Sequence, residues 1–136
     1  MTLAVLILAL SAFTPHPFSF GCWRNERFDP ARPGIVGLVR HPILAALGFW
    51  ASGHLAPNGD LAHVLMFGGF AAFAVLGMVM IDKWCQRSMG VEAWQRLCPP
   101  VNLRYAGGPL RWLAAAVLLA GLIALHLVVI GLPAIW

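Results

Sequence analysis

Charge is what this chain has least of. Only 10% of its 136 residues are Asp, Glu, Lys or Arg, where a soluble domain carries about 25%. That scarcity, with 60% hydrophobic residues and a mean hydropathy of +0.80, excludes an ordinary water-soluble globule. Cysteine is equally sparse. Cys22, Cys85 and Cys98 are odd in number and form no C-x-x-C pair, so the sequence offers neither a disulfide framework nor a zinc site. Without C-x-x-C-H, covalent attachment of c-type haem is excluded. No Gly-rich phosphate loop is present. No basic helix or aromatic module of the nucleic-acid-binding kind accompanies the net charge of +4, so nucleic acid is not an expected partner. The first apolar run has no Lys or Arg before it and no A-x-A site after it, which argues against a cleaved signal peptide.

What is present is apolar sequence in four segments. The reading is an all-α, polytopic membrane helical bundle with about four transmembrane helices, at about residues 1–20, 35–56, 61–81 and 110–135, in a single domain covering 1–136. The lipid bilayer is its expected surround. All nine Lys and Arg fall in two of the three connections: Arg24, Arg27, Arg32 and Arg40 in the first, and Lys83, Arg87, Arg96, Arg104 and Arg111 in the third. Pro57-Asn58-Gly59-Asp60, the second connection, has none. The positive-inside rule then puts the first and third connections in the cytoplasm of a bacterial inner membrane, with both termini and the Pro57–Asp60 turn on the periplasmic side. The turn residues predict that the second and third helices form an antiparallel hairpin. Pro99-Pro100 and Gly107-Gly108-Pro109 break the third connection, and residues 84–97 are expected to lie as a short amphipathic piece at the membrane surface. Gly68 and Ala72, and Ala116, Ala120 and Ala124, recur at four-residue spacing and read as close-packing faces toward neighbouring or partner helices.

Ionisable residues inside such a bundle are candidates for function. His41 and His54 stand thirteen residues apart, about 20 Å along one helix, too far to share a small ligand. His54, His63 and His126 are placed by depth in the outer half, where they can converge. Imidazole is a good axial ligand for haem iron, and helical bundles place such ligands on facing helices. The same residues also read as interfacial or helix-bonding histidines. Arg40, His41 and Asp82 meet at the cytoplasmic level, either as an ion-paired boundary or as a site for an anionic group or a cofactor. Met66 and Met78 read as core, and His16, between two prolines, as structural. No catalytic residue is singled out.

The stretches PGIVGLVRHPILAALGFWASGHLAPNGDLAHVLMFGG (33–69), GMVMIDKW (77–84) and MGVEAWQRL (89–97) resemble the NnrU family of integral membrane proteins. The family is linked to denitrification and nitric-oxide-related gene clusters, so the resemblance implies an accessory or subunit role in a bacterial membrane complex, with other membrane subunits as partners. A related protein, 15-cis-ζ-carotene isomerase, uses haem b. One of its haem-ligating histidines carries over to His54 as a metal ligand. Its other ligand lies in an N-terminal half that nothing here matches, leaving His126, His63 or a second protein to complete a site. The stretch is more distantly similar to isoprenylcysteine carboxyl methyltransferases. Ile81-Asp82 stands where that family has a Glu-Glu pair, so S-adenosylmethionine is not the expected cofactor.

Overall fold

Helix ends in this chain are set by proline, glycine and capping side chains. The computed structural model describes residues 2–12, 14–18, 25–98, 102 and 108–131. Cys22, Arg24, Pro99, Pro100, Arg104 and Gly107 lie outside the described residues, and with them part of the sequence reading of the two basic connections. Among the described residues there are five α-helices and no strand: α1 (Thr2–Ser11), α2 (Pro42–Leu55), α3 (Leu61–Met89), α4 (Val91–Leu97) and α5 (Pro109–Ile130), with short 3-10 turns at Asn25–Arg27 and Gly34–Gly37.

Two expected boundaries move inward. α1 ends at Ser11, ahead of Pro15 and Pro17, rather than near residue 20. α2 starts at Pro42 rather than at residue 35. Proline at the first helical position is preorganised for the helix, and it pushes the preceding residue out of the helical region; His41 accordingly has φ −116° and ψ 71°. The 35–39 stretch forms a separate turn instead.

In contrast, α3 runs on to Met89, past the expected residue 81, because nothing in Asp82–Ser88 breaks a helix. Gly90, at φ +87°, ends it. That backbone conformation suits glycine, and it turns the chain directly into α4. The expected amphipathic piece at 84–97 is thus two pieces. Trp84 and Val91 are exposed, while Trp94 and Leu97 pack inward.

The helices pack in a row, α5–α1–α2–α3, with α1 and α2 in the middle and α4 folded against the end of α3. The α2–α3 hairpin is closed by the Asp60 carboxylate, which caps α3 by accepting from the His63 backbone N–H at 3.2 Å. The Asn58 side chain donates to the His54 carbonyl at 2.8 Å. The close crossing within this hairpin uses Gly48 against Ala74 and Gly77 against Leu44, where an added Cβ would lie 3.5 and 3.3 Å from its neighbour. Gly68 and Gly69 face open space, and Ala72, Ala116, Ala120 and Ala124 are exposed. The small-residue faces read from spacing are therefore not the ones the chain packs on itself.

α3 and α5 are each long and apolar enough to cross a membrane, and only 17% and 6% of their most apolar windows are buried within the chain. The core helix of a soluble protein would be mostly buried. Faces this apolar and this open need a non-aqueous neighbour. The end of the row that holds Arg40, Asp82 and Arg111 is called the inner end here, and the end at the Pro57–Asp60 turn the outer end. Asp82 is 21 residues beyond Leu61 on α3, about 31 Å, so one thickness of bilayer hydrocarbon separates the two ends.

Candidate functional site

At the inner end, one carboxylate organises the polar groups. Arg40 Nη1 donates to Asp82 Oδ2 at 3.0 Å. His41 Nε2 faces the other oxygen at 3.2 Å, close enough for attraction but off the hydrogen-bond axis, so neither atom counts as hydrogen-bonded to the other. His41 is buried, and its Nδ1–H donates to the Phe18 carbonyl at 2.7 Å. The Arg40 guanidinium also lies over the Trp94 ring, 5.0 Å from its centre, a cation–π contact that pins α4 beneath the start of α2.

Around this knot lies the larger hydrophobic cluster: Leu10, Phe18, Ile35, Val36, Cys85 and Ala115, with Trp94, Leu97 and Cys98 packed on it. Burial pushes the Cys98 thiol above its ordinary value, which keeps it protonated and unreactive. His16 is buried beside this cluster's α1 end, its Nε2–H donating to the Ser11 carbonyl at 2.8 Å. The 34–37 turn is tied to the α4–α5 connection by Asn102 N–H donating to the Gly37 carbonyl at 2.9 Å.

Sequence depth alone predicted that Arg40, His41 and Asp82 meet, and they do. Trp94 was read only as part of an amphipathic piece, and its place on Arg40 was missed. The one available signal is its position five residues before Pro99-Pro100 in a segment with few other large apolar residues. The His41–Phe18 bond has no sequence signal.

The outer end is built differently. Trp50 and His54, one turn apart on α2, meet at a 50° tilt with 4.8 Å between ring centres, and both rings meet Phe67 of α3 at 5.4 and 4.9 Å, His54 stacked on it. Phe70 adds an edge contact to Trp50 at 5.9 Å. His63 stacks on Phe67 at 5.9 Å, and its Nδ1 is paired with the Asp60 carboxylate. His54 Nδ1–H donates to the Trp50 carbonyl at 2.9 Å. With Nδ1 donating, Nε2 is the ring nitrogen left to meet another group, as in metal-ligating histidines that donate their other N–H to a carbonyl.

On another side of Trp50 there is a cavity of about 220 Å³ between α1, α2 and α5, lined by Thr2, Val5, Trp50, Leu119, Leu122, Ile123 and His126. The three outer histidines are thus linked through Trp50 and Phe67 without sharing one centre. His54 and His63 meet the same phenyl ring, whereas His126 belongs to the cavity. α1 takes the place between α2 and α5, so that His54 faces Phe67 of α3 while His126 lines the cavity beside α1. Among the described residues no group of three or more His, Cys, Asp or Glu side chains is arranged to hold a metal ion.

A haem group needs more room than this cavity, which is smaller even than the roughly 300–1,000 Å³ of drug-sized ligand sites. Among the described residues, His54 is an imidazole whose Nδ1–H is already given to the Trp50 carbonyl.

No curated protein and no solved structure matches the chain. One family does. Its description, NnrU protein, matches residues 1–134, a span that takes in both histidine clusters, the α2–α3 hairpin and the two membrane-length helices. The chain belongs to the NnrU family.

Proposed function

We propose that this NnrU-family protein is an accessory subunit of a bacterial inner-membrane complex, a polytopic chain with about four membrane segments and both termini on the periplasmic side. The observation that carries the reading is the open row of helices. α3 and α5 stand at its two edges with apolar faces that no other described residue covers, and the small residues of those faces, Gly68 and Ala72 on α3 and Ala116, Ala120 and Ala124 on α5, are open rather than packed among the described residues. Small residues are what membrane helices use for close contact with partner helices.

The sidedness rests on charge. Among the described basic residues, Arg40 reaches Asp82, and Arg111 lies near Gly34 and Thr14, so the basic connections gather at one end and the uncharged-by-cation turn at the other. The link to nitrogen-oxide metabolism rests on the family resemblance alone.

The test is the size of the native assembly. Membranes solubilised in a mild detergent and separated on a native gel should give a discrete species larger than the monomer, and Ala120→Trp should dissociate it while the chain stays folded. A monomer in the mildest detergent, indifferent to Ala120→Trp, would sink the reading.

A second reading has its own observation, the tautomer of His54. In it, His54 is one axial ligand of haem b and a residue from another protein is the second. The purified complex should then show a Soret band that His54→Ala removes; a complex without the band ends this reading and leaves the first standing. A methyltransferase-like role has less support, since Arg40 and His41 already engage the Asp82 carboxylate that would have to meet a ribose hydroxyl or an ammonium group.

A further inference from the structure

We propose that the groove between α1 and α5 at the inner end binds one anionic phospholipid, with Arg111 on its phosphate and the first part of an acyl chain along the groove. The groove has a volume of about 310 Å³ and is lined by Ala9, Leu10, Ala12, Arg111, Ala114 and Leu118. At about 100° per residue, Arg111, Ala114 and Leu118 share one face of α5. Leu118 is seven residues beyond Arg111, about 10 Å deeper along the helix. The lining thus starts with one cation at the boundary and is apolar below it, which is the polarity of a lipid. Ala12, Arg111, Ala114 and Leu118 are exposed, so a lipid can enter from the side.

The charge selects an anion. None of the chain's five Asp and Glu residues lines the groove. Asp82 is taken by Arg40 and His41, Asp60 by His63 and Glu92 by Arg96. No ion pair among the described residues includes Arg111, whose guanidinium lies against Gly34. A guanidinium without a carboxylate suits a phosphate, which it can hold with two parallel N–H donors. Basic pockets between membrane helices are where anionic headgroups bind. The size selects a chain. The space of about ten water molecules takes part of one hydrocarbon tail, whereas a helix with its side chains is about 10–12 Å across. Ala116, Ala120 and Ala124, assigned above to a partner helix, fall on the opposite side of α5 by the same angular count. The proposal rests on the membrane placement of α5 and is independent of the subunit reading.

Purified full-length protein in mild detergent is titrated with dioleoylphosphatidylglycerol or dioleoylphosphatidylcholine, and the melting temperature is followed. The two lipids share their chains and differ in net charge. The parent should show a saturable rise, half-complete at about tenfold less of the anionic lipid, the scale of one charge-assisted hydrogen bond. Arg111→Gln should bring the two lipids level, and Arg111→Lys should keep part of the preference. Ala114→Trp fills the groove from an exposed position. It should abolish the saturable rise while its lipid-free melting temperature stays near that of the parent. Arg87→Gln, exposed at the same end on α3, should leave the preference intact. An equal loss from Arg87→Gln would show attraction to the basic end as a whole and overturn the proposal. So would equal response of the parent to both lipids, or an unchanged rise in Ala114→Trp. Glycerol 1-phosphate carries the phosphate without the chains and should not stabilise at the lipid concentrations that do; if it does, the site takes free phosphate and the lipid assignment fails. Loss of a larger native species in Ala114→Trp, with no lipid preference in the parent, would give the groove to a partner helix and overturn the proposal too.

Discussion

At the inner end, Arg40 and His41 reach Asp82 across some forty residues of chain, and His41 reaches Phe18 across 23. At the outer end, His54 bonds to Trp50 and His63 to Asp60, each within a single helical turn. Long-range polar bonds fix how segments sit relative to one another. Local ones orient single side chains and leave their remaining atoms available. The inner end therefore reads as the part that holds the segments together, and the outer end, with its stacked rings, as a part built from bonds local to each helix. The difference also shows in chemistry, since the inner knot gathers Arg40 and His41 on one carboxylate while the outer one stacks two histidine rings on Phe67.

The largest expected effect is all-or-none and concerns which end faces which compartment. In intact cells an impermeant thiol reagent should label Asn58→Cys, in the outer turn, and leave Arg96→Cys, on exposed α4, unlabelled until the membrane is opened. Labelling of Arg96→Cys from outside would reverse the assignment.

Next in size is Asp82→Asn, which strips the inner end of its anion and leaves Arg40 and buried His41 without it. It should cost about 1–3 kcal/mol, read as a lower unfolding midpoint in mixed detergent. Adding Arg40→Leu to Asp82→Asn should cost less than the sum of the two single changes, because they share one interaction.

His54→Phe keeps the stack at the outer end and removes only the bond to the Trp50 carbonyl. A loss of about 0.5–1.5 kcal/mol is expected by the same measurement. If His54→Phe were as damaging as Asp82→Asn, the contrast between long-range and local polar bonding would fail.

Acid should reach the two ends at different points, with the smallest effects of the series. Burial holds His16 below the ordinary histidine value, against the opposing pull of its bond to the Ser11 carbonyl. Its folded value is depressed, so its contribution is complete above about pH 6.5 and is lost as pH falls through the lower folded value. Asp60 is held below the ordinary carboxyl value, chiefly by the N–H of His63. Its contribution is complete above about pH 3.8 and is lost only as pH falls through a still lower folded value. Amide hydrogen exchange followed from pH 7 to pH 3 should thus show residues 8–18 loosening first and the start of α3 last, and His16→Gln should remove the early step.

Much of this arrangement is legible from residue types. The turn formers at Pro57–Asp60 give the hairpin, and the depth count brings Arg40 and His41 to Asp82, because charge and turn chemistry act locally and leave a mark in the sequence. Packing does not. Gly68 and Ala72 have the spacing of a contact face, but the chain uses Gly48, Ala74 and Gly77, since which small residues meet depends on where Leu44 can lie across them. The separation of His126 from His54 was hidden for a similar reason. Depth can be counted along a helix, while the neighbour of each helix is decided by shape, and here α1 takes the place beside α5. The short extents of α1 and α2 were written in Pro15, Pro17 and Pro42, whose effect on the preceding residue outweighs the apolar run around them.

The order α5–α1–α2–α3 has a consequence for how the protein is made. α2 and α3 are neighbours in sequence and in space, so their hairpin can form as soon as the turn between them has been synthesised. α1 is different: one of its two faces packs on α5, the last described helix to leave the ribosome. Until then that face, with Thr2 and the rest of the cavity wall, has no protein cover, and bringing the two helices together closes nearly the whole chain into one loop, a slow kind of contact. Closure of α1 against α5 therefore waits for the end of synthesis, and a chain halted before α5 has its hairpin and an uncovered α1 face.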